Sequence, residues 1–286
     1  MTVSEYLTPH LRELSRGLRA ALPRLKDDGD EEAVHDLRVV IRRLRSLLRP
    51  ARVVYGKFHT DAVRDALKGV ADATGDLRDE EVLDETVADL ALPPAVKDEV
   101  TGWLARRQRK EHAHRRALLR LVEQGAVERA LEMLDALLAL PVNPKKDRPA
   151  EAFAREVVAK AEKGVRHGPE VPLDDVAGLH ALRIAYKRLR YAVEGLEGVL
   201  PKDVVALAPV AARFQKRLGE LHDVDVAVQT FRRARGVSLQ MRMALLEALD
   251  DARWKNVSKY LAEQATKSDA IAKVEPVLDA SAARTR

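Results

Sequence analysis

The chain has 286 residues, with 50 Lys or Arg, 45 Asp or Glu and a net charge of +5, so the distribution of charge matters more than its sum. A hydrophobic fraction of 46% can fill one large or two modest cores, and an aromatic content of only 4% favours helices over sheets. The absence of cysteine excludes disulfides and thiol chemistry, and no apolar run approaches the roughly 18 residues of a membrane span, so a cytoplasmic protein without a membrane partner is expected.

The first predicted helix covers about residues 4 to 25, a charged amphipathic stretch without the apolar segment of a secretory signal. Residues 27 to 32 carry five acids, a suitable start for a helix over 31 to 55, and residues 37 to 57 carry seven Arg or Lys and no acid. At about 100° per residue, His35, Arg38, Arg42, Arg45 and Arg49 form a stripe about 80° wide. Val34, Leu37, Val40, Ile41, Leu44, Leu47 and Leu48 fill the adjoining arc, the face for a core. Like charges crowded on one face repel, a cost without structural return unless a polyanion lies there.

A helix near 57 to 74, carrying Lys68, is expected to end at Gly75-Asp-Leu-Arg78-Asp79-Glu-Glu81-Val82, with Asp79 capping the next helix, near 79 to 91. A long helix near 94 to 124 sets Arg106, Arg109, Arg116 and Arg120 on one face, and a helix near 126 to 139 closes the first half, residues 1–140. Three prolines, Pro141, Pro144 and Pro149, make residues 141–149 a linker.

The second half, residues 150–286, predicts helices near 150 to 165, 174 to 197, 202 to 218, 223 to 235 and 238 to 265, then a frayed tail. It repeats the first half's motifs. His35-Asp-Leu-Arg38-Val-Val-Ile-Arg42-Arg43-Leu-Arg45 recurs 145 positions on as His180-Ala-Leu-Arg183-Ile-Ala-Tyr-Lys187-Arg188-Leu-Arg190. The Gly75 segment recurs 144 positions on as Gly219-Glu-Leu-His222-Asp223-Val-Asp225-Val226, with Asp223 as the equivalent cap. His180, Arg183, Lys187 and Arg190 take the same angular positions as their first-half counterparts, whereas Glu194 stands where Arg49 does. Arg213 and Lys216, on the helix before Gly219, are further candidate ligands.

These paired H-x-x-R-x-x-x-[RK]-R-x-R helices, each followed by G-x-L-[RH]-D-x-[DE]-V, resemble the CHAD domain over roughly Leu11 to Leu261. The resemblance implies an all-α fold of two similar helical-bundle halves around a basic central cleft that binds inorganic polyphosphate. It also implies an association with polyphosphate granules and with a triphosphatase partner, although no E-x-E-x-K signature of such a domain occurs here. The motif positions Arg43, Arg188, Arg78 and His222 complete the candidate polyphosphate-binding set.

Arginine suits this role because its planar fork donates two parallel hydrogen bonds to phosphate and stays charged. His35 and His180 lie toward helix N-termini, where they either donate to phosphate or sit neutral in a network between helices. Nucleic-acid binding is the principal rival, but the stripes have almost none of the Asn, Gln or aromatics that read or stack bases. A phosphotransfer histidine normally has a small residue next and an open ring, whereas here Val39 follows Arg38 and three more cations share the stripe of His35 and Arg38. Arg166-His167-Gly168 matches a phosphatase triplet without the preceding strand, and His112 and His114 point about 200° apart on a helix, so they cannot share a metal. No nucleophile and base stand among the cations, so binding without catalysis, cofactor or metal is expected.

Overall fold

The computed structural model describes residues 1–25, 30, 32–142, 145–166 and 168–272, and these are all-α, with no β-strand among them. His167, Asn143, Pro144 and the tail beyond Ala272 lie outside the described residues.

The helices are α1 (Val3–Arg24), α2 (Glu32–Tyr55), α3 (Lys57–Ala66), α4 (Lys68–Ala88), α5 (Pro94–Glu123) and α6 (Ala126–Ala139). They continue as α7 (Ala150–Lys163), α8 (Val176–Glu194), the four-residue α9 (Lys202–Val205), α10 (Leu207–Arg233) and α11 (Leu239–Ala272). Local chemistry sets many of the ends. Thr2 and Glu5 form a capping box on α1, and the Asp175 carboxylate accepts from the Gly178 N–H at 2.9 Å to start α8. Gly56 at φ 83° and Gly125 at φ 74° make the sharp turns between α2 and α3 and between α5 and α6, a backbone region costly for any side chain.

Two expectations about the glycine segments are overturned. No helix ends at Gly75 or Gly219, because α4 and α10 run straight through them; the breaks fall earlier, at Leu67 and Ala206. Asp79 and Asp223 therefore sit inside helices and cap nothing. A mid-helix glycine costs only about 1 kcal/mol relative to alanine, which burial of Val70, Leu77, Leu218 and Leu221 on the two helices outweighs. Helix α11 runs seven residues beyond the expected end at 265.

Three apolar clusters hold the helices together. One joins α1, α2, α3, α6 and the end of α5, and takes in Phe153 and Ala154 of α7. A second joins α8, the front of α10 and Val257 and Tyr260 of α11. The third packs Leu83, Val87, Val96, Val100 and Trp103 of α4 and α5 against Val224, Phe231, Met241 and Leu245 of α10 and α11. That shared cluster fixes the two segments of the chain against each other. It leaves α2 in contact with both α4 and α8, and α10 in contact with both α8 and α4.

Candidate anion-binding site

Where α2, α4, α8 and α10 meet, cations from α2 and α8 face one another. The apolar arc of α2, including Leu37, Ile41, Leu44 and Leu48, is buried, and so is that of α8, with Leu179, Leu182, Tyr186, Leu189 and Val193. Burying those arcs turns the two charged stripes away from their own cores. Lys187 is the electrostatic centre. Burial first, then Arg183 of its own helix and Arg42, Arg38 and Arg45 of α2, hold its ammonium down to about 8. Arg38 is lowered by burial and by Arg42 and Arg78, and Arg45 by burial and by Arg64. Arg42 and Arg190 reach the same ring from different helices, with their guanidinium carbons 5.3 Å and 5.6 Å from the centre of Tyr191.

The Nε–H groups of Arg42 and Arg45 are buried and have no hydrogen-bond partner among the described residues. A buried donor left unmade costs about 1 to 3 kcal/mol, so two such donors beside a crowd of like charges describe a site short of an acceptor. Asp79 feels Arg38 and Arg183, and Asp223 feels Arg183 and Arg78, so these carboxylates partly offset the cations rather than capping helices.

The two histidines are not equivalent. His35 is exposed. The Nδ1 of His180 shares a hydrogen bond of 3.2 Å with the Nδ1 of His222, and the ring centroids are 4.4 Å apart. Burial, then Arg183 and His180, push His222 down to about 4; burial, then Arg183 and Lys187, push His180 down.

The other candidates divide. Arg49 lines a cavity with Arg52, Arg188, Lys160 and Tyr191 at the far end of the stripe, and feels Arg188 electrostatically. Arg43 opens on a separate cavity with His10, Tyr191 and Glu194. Arg190 is held by Glu194 at 2.6 Å, so the residue that replaces an arginine in the repeat also occupies its neighbour. Arg78 forks onto Glu85 with two bonds of 3.0 Å and donates to Glu81 at 3.1 Å. Lys68 pairs with Asp72 at 2.7 Å on an exposed face, Arg213 pairs with Glu263 of α11 at 2.7 Å, and Lys216 is exposed.

On α5 the expected stripe of Arg106, Arg109, Arg116 and Arg120 is exposed. The inward cation of that helix is Arg107, which pairs with Glu80 and lies 4.8 Å from the centre of Trp103. Arg64 and Tyr191 are the site residues that the sequence pattern left out. Neither belongs to a repeated charge, although Tyr191 directly follows the second motif. Among the described residues no group of His, Asp or Glu could hold a metal ion, and no helix is long and apolar enough to cross a membrane.

This all-α chain with paired basic helix faces is of a recognisable class, and the CHAD domain profile matches residues 9–232. The protein belongs to the CHAD domain family. Its fold is similar to the CHAD domain from the plant Ricinus communis, with a TM-score of 0.68 and 25% identity over 96% of this chain and 91% of that one. It is also similar to PptA from Streptomyces chartreusis, with a TM-score of 0.69 and 17% identity over 93% and 99%, a likeness of fold alone. Among curated proteins it is 33% identical over 184 residues to the uncharacterized protein Rv2226 of Mycobacterium tuberculosis H37Rv, and 32% identical to MT2285 of strain CDC 1551. The match takes in 59% of this chain and 35% of the length of those relatives.

Proposed function

We propose that the protein binds inorganic polyphosphate, without turning it over, in a basic cleft between the charged faces of α2 and α8. The two faces belong to halves related by duplication, as the paired motifs suggest. One observation carries the reading: Arg38, Arg42 and Arg45 of α2 stand close enough to Lys187 of α8 to depress its pKa, while two buried arginine donors have no acceptor among the described residues. A linear chain of phosphates supplies one negative charge per unit and oxygens on every side. It can satisfy donors from both helices without needing a base-reading group. Membership of the CHAD family supports this ligand. A cytoplasmic role at polyphosphate granules, beside a triphosphatase partner, accords with it.

The deciding experiment is competition of polyphosphate against single- and double-stranded nucleic acid at matched phosphate concentration and physiological salt. Polyphosphate is expected to displace both. Displacement of bound polyphosphate by nucleic acid would instead make the faces a nucleic-acid backbone site.

A further inference from the structure

Away from α2 and α8, a second basic cavity of about 530 Å³ opens between the middle of α5 and the end of α10. It is lined by Arg106, Arg107, Lys110, Arg233 and Arg235, with Trp103, Thr230 and Ala234. Three carboxylates, Glu80, Asp84 and Glu99, stand near Arg106 and Arg107, and Asp84 feels Arg107 without pairing with it. Glu80 is spent on Arg107. Glu99, which feels Arg106, accepts from the Ser238 N–H at 2.7 Å and from its hydroxyl at 2.6 Å. Lys110, Arg233 and Arg235 have no carboxylate partner among the described residues.

Basic residues at a helix C-terminus ordinarily serve its exposed carbonyls. Here Arg242 already does so. Its guanidinium donates to the carbonyls of Phe231 and Arg232 at 2.8 Å each and to that of Ala234 at 2.7 Å. The negative end of α10 is thus covered, and Arg233 and Arg235 are left for something outside the chain.

We propose that this cavity is a second anion site, which takes a compact oligophosphate such as a di- or triphosphate group. Trp103 does not offer a face to a nucleobase, because Phe231 packs against its ring at 4.6 Å and Arg107 lies over it. Recognition is therefore of phosphate alone, whether it comes from a free oligophosphate, a nucleotide tail or the end of a polymer. The inference does not depend on what α2 and α8 bind.

The test is calorimetric titration of the full chain with tripolyphosphate and, separately, with ATP. The Arg233→Gln, Arg235→Gln double variant should weaken tripolyphosphate by about tenfold or more, the equivalent of losing one charge-assisted hydrogen bond. The Arg38→Gln, Arg42→Gln, Arg45→Gln variant should keep a tripolyphosphate site of unchanged affinity, and ATP should bind no more tightly than tripolyphosphate. Should the double variant fail to fold, Arg235→Gln alone, beyond the end of α10, serves in its place with the same direction of effect. Unchanged binding in the Arg233 and Arg235 variants, or loss of all tripolyphosphate binding in the α2 variant, overturns the second site. Much tighter binding of ATP overturns recognition by phosphate alone.

Discussion

The Nδ1 of His180 and the Nδ1 of His222 lie 3.2 Å apart and share one hydrogen bond, so one ring donates and the other must accept. Two imidazolium rings have only donors to offer, so the pair excludes double protonation. His222, pushed down to about 4 in the folded protein, binds fewer protons there than in the unfolded chain, where an imidazole titrates near 6.5.

The sign of the pH effect follows. The contribution of His222 to stability is complete above about pH 6.5 and is lost as pH falls toward about 4. Discounted for its partial exposure, that loss should amount to about 1 to 2 kcal/mol. Urea unfolding at pH 7.5 and pH 4.5 should show it, with a smaller loss in His222→Gln. An identical loss in that variant would trace the acid sensitivity to other groups.

Lys187 predicts a conflict between stability and binding. Its half-buried ammonium is surrounded by Arg183, Arg42, Arg38 and Arg45, so Lys187→Met removes repulsion while keeping the packed stem. The ligand-free variant should unfold about 1 kcal/mol later than the parent while binding polyphosphate more weakly. Thermal unfolding and titration of the same preparation check both halves of this expectation. A variant that is less stable in the absence of ligand would show that the ammonium has a stabilising partner.

Tyr191 should act by holding arginines. Its ring lies under both Arg42 and Arg190, contacts worth about 0.5 to 2 kcal/mol. Tyr191→Phe should bind polyphosphate as the parent does, and Tyr191→Leu should bind it about threefold to tenfold more weakly. Equal binding by all three proteins would remove the ring from the site.

How much of this was legible in the sequence depends on the range of the interaction. The α2 and α8 stripes could be read because a helix repeats every 3.6 residues and the same charges recur 145 positions on. The breaks in the helices could not be placed, since Gly75 and Gly219 look like stops and Leu67 and Ala206 do not; burial of neighbouring leucines decides, and that is a tertiary effect. His180 and His222 are 42 residues apart, and only the packing of α8 on α10 makes them a pair. On α5, periodicity grouped Arg106 with Arg109, Arg116 and Arg120, but which arginine turns inward is set by Glu80 and Trp103 on the packed face, and it is Arg107. The same holds for Arg190, whose charge counts in the motif yet is taken by Glu194.

Binding to the folded chain alone stabilises it by mass action, by about 2.7 kcal/mol at a ligand concentration 100 times Kd. Polyphosphate at that concentration should therefore raise the unfolding temperature by several degrees, and orthophosphate of equal total phosphate by much less. Replacing Arg38, Arg42 and Arg45 with Ala should reduce the shift and the salt dependence of binding, because fewer counterions are displaced. Replacing Arg183, Lys187 and Arg190 should do the same with a smaller share from Arg190, which Glu194 already holds. Equal shifts for the two ligands would indicate a single-phosphate site.

The pH dependence of polyphosphate affinity isolates Lys187 from the arginines around it. In the ligand-free protein its ammonium titrates at about 8, so above that pH the site loses one positive charge while the arginines keep theirs. A bound polyanion favours the charged form and raises that pKa, and by linkage the affinity must fall as pH rises through about 8 to 9. The limiting slope is one proton, about tenfold in Kd for each pH unit, until the pKa of the bound state is reached. Lys187→Arg keeps the charge and cannot titrate in this range, so it should bind equally well at pH 7.5 and pH 9.5. His180 and His222, pushed down in the free protein, act only on the acid side, where affinity should rise below about pH 6 if the ligand draws a proton onto His180. Titrations at intervals from pH 5.5 to 9.5, with parent and Lys187→Arg side by side, separate the two arms. An alkaline fall in affinity that persists in Lys187→Arg would mean that Lys187 does not meet the ligand.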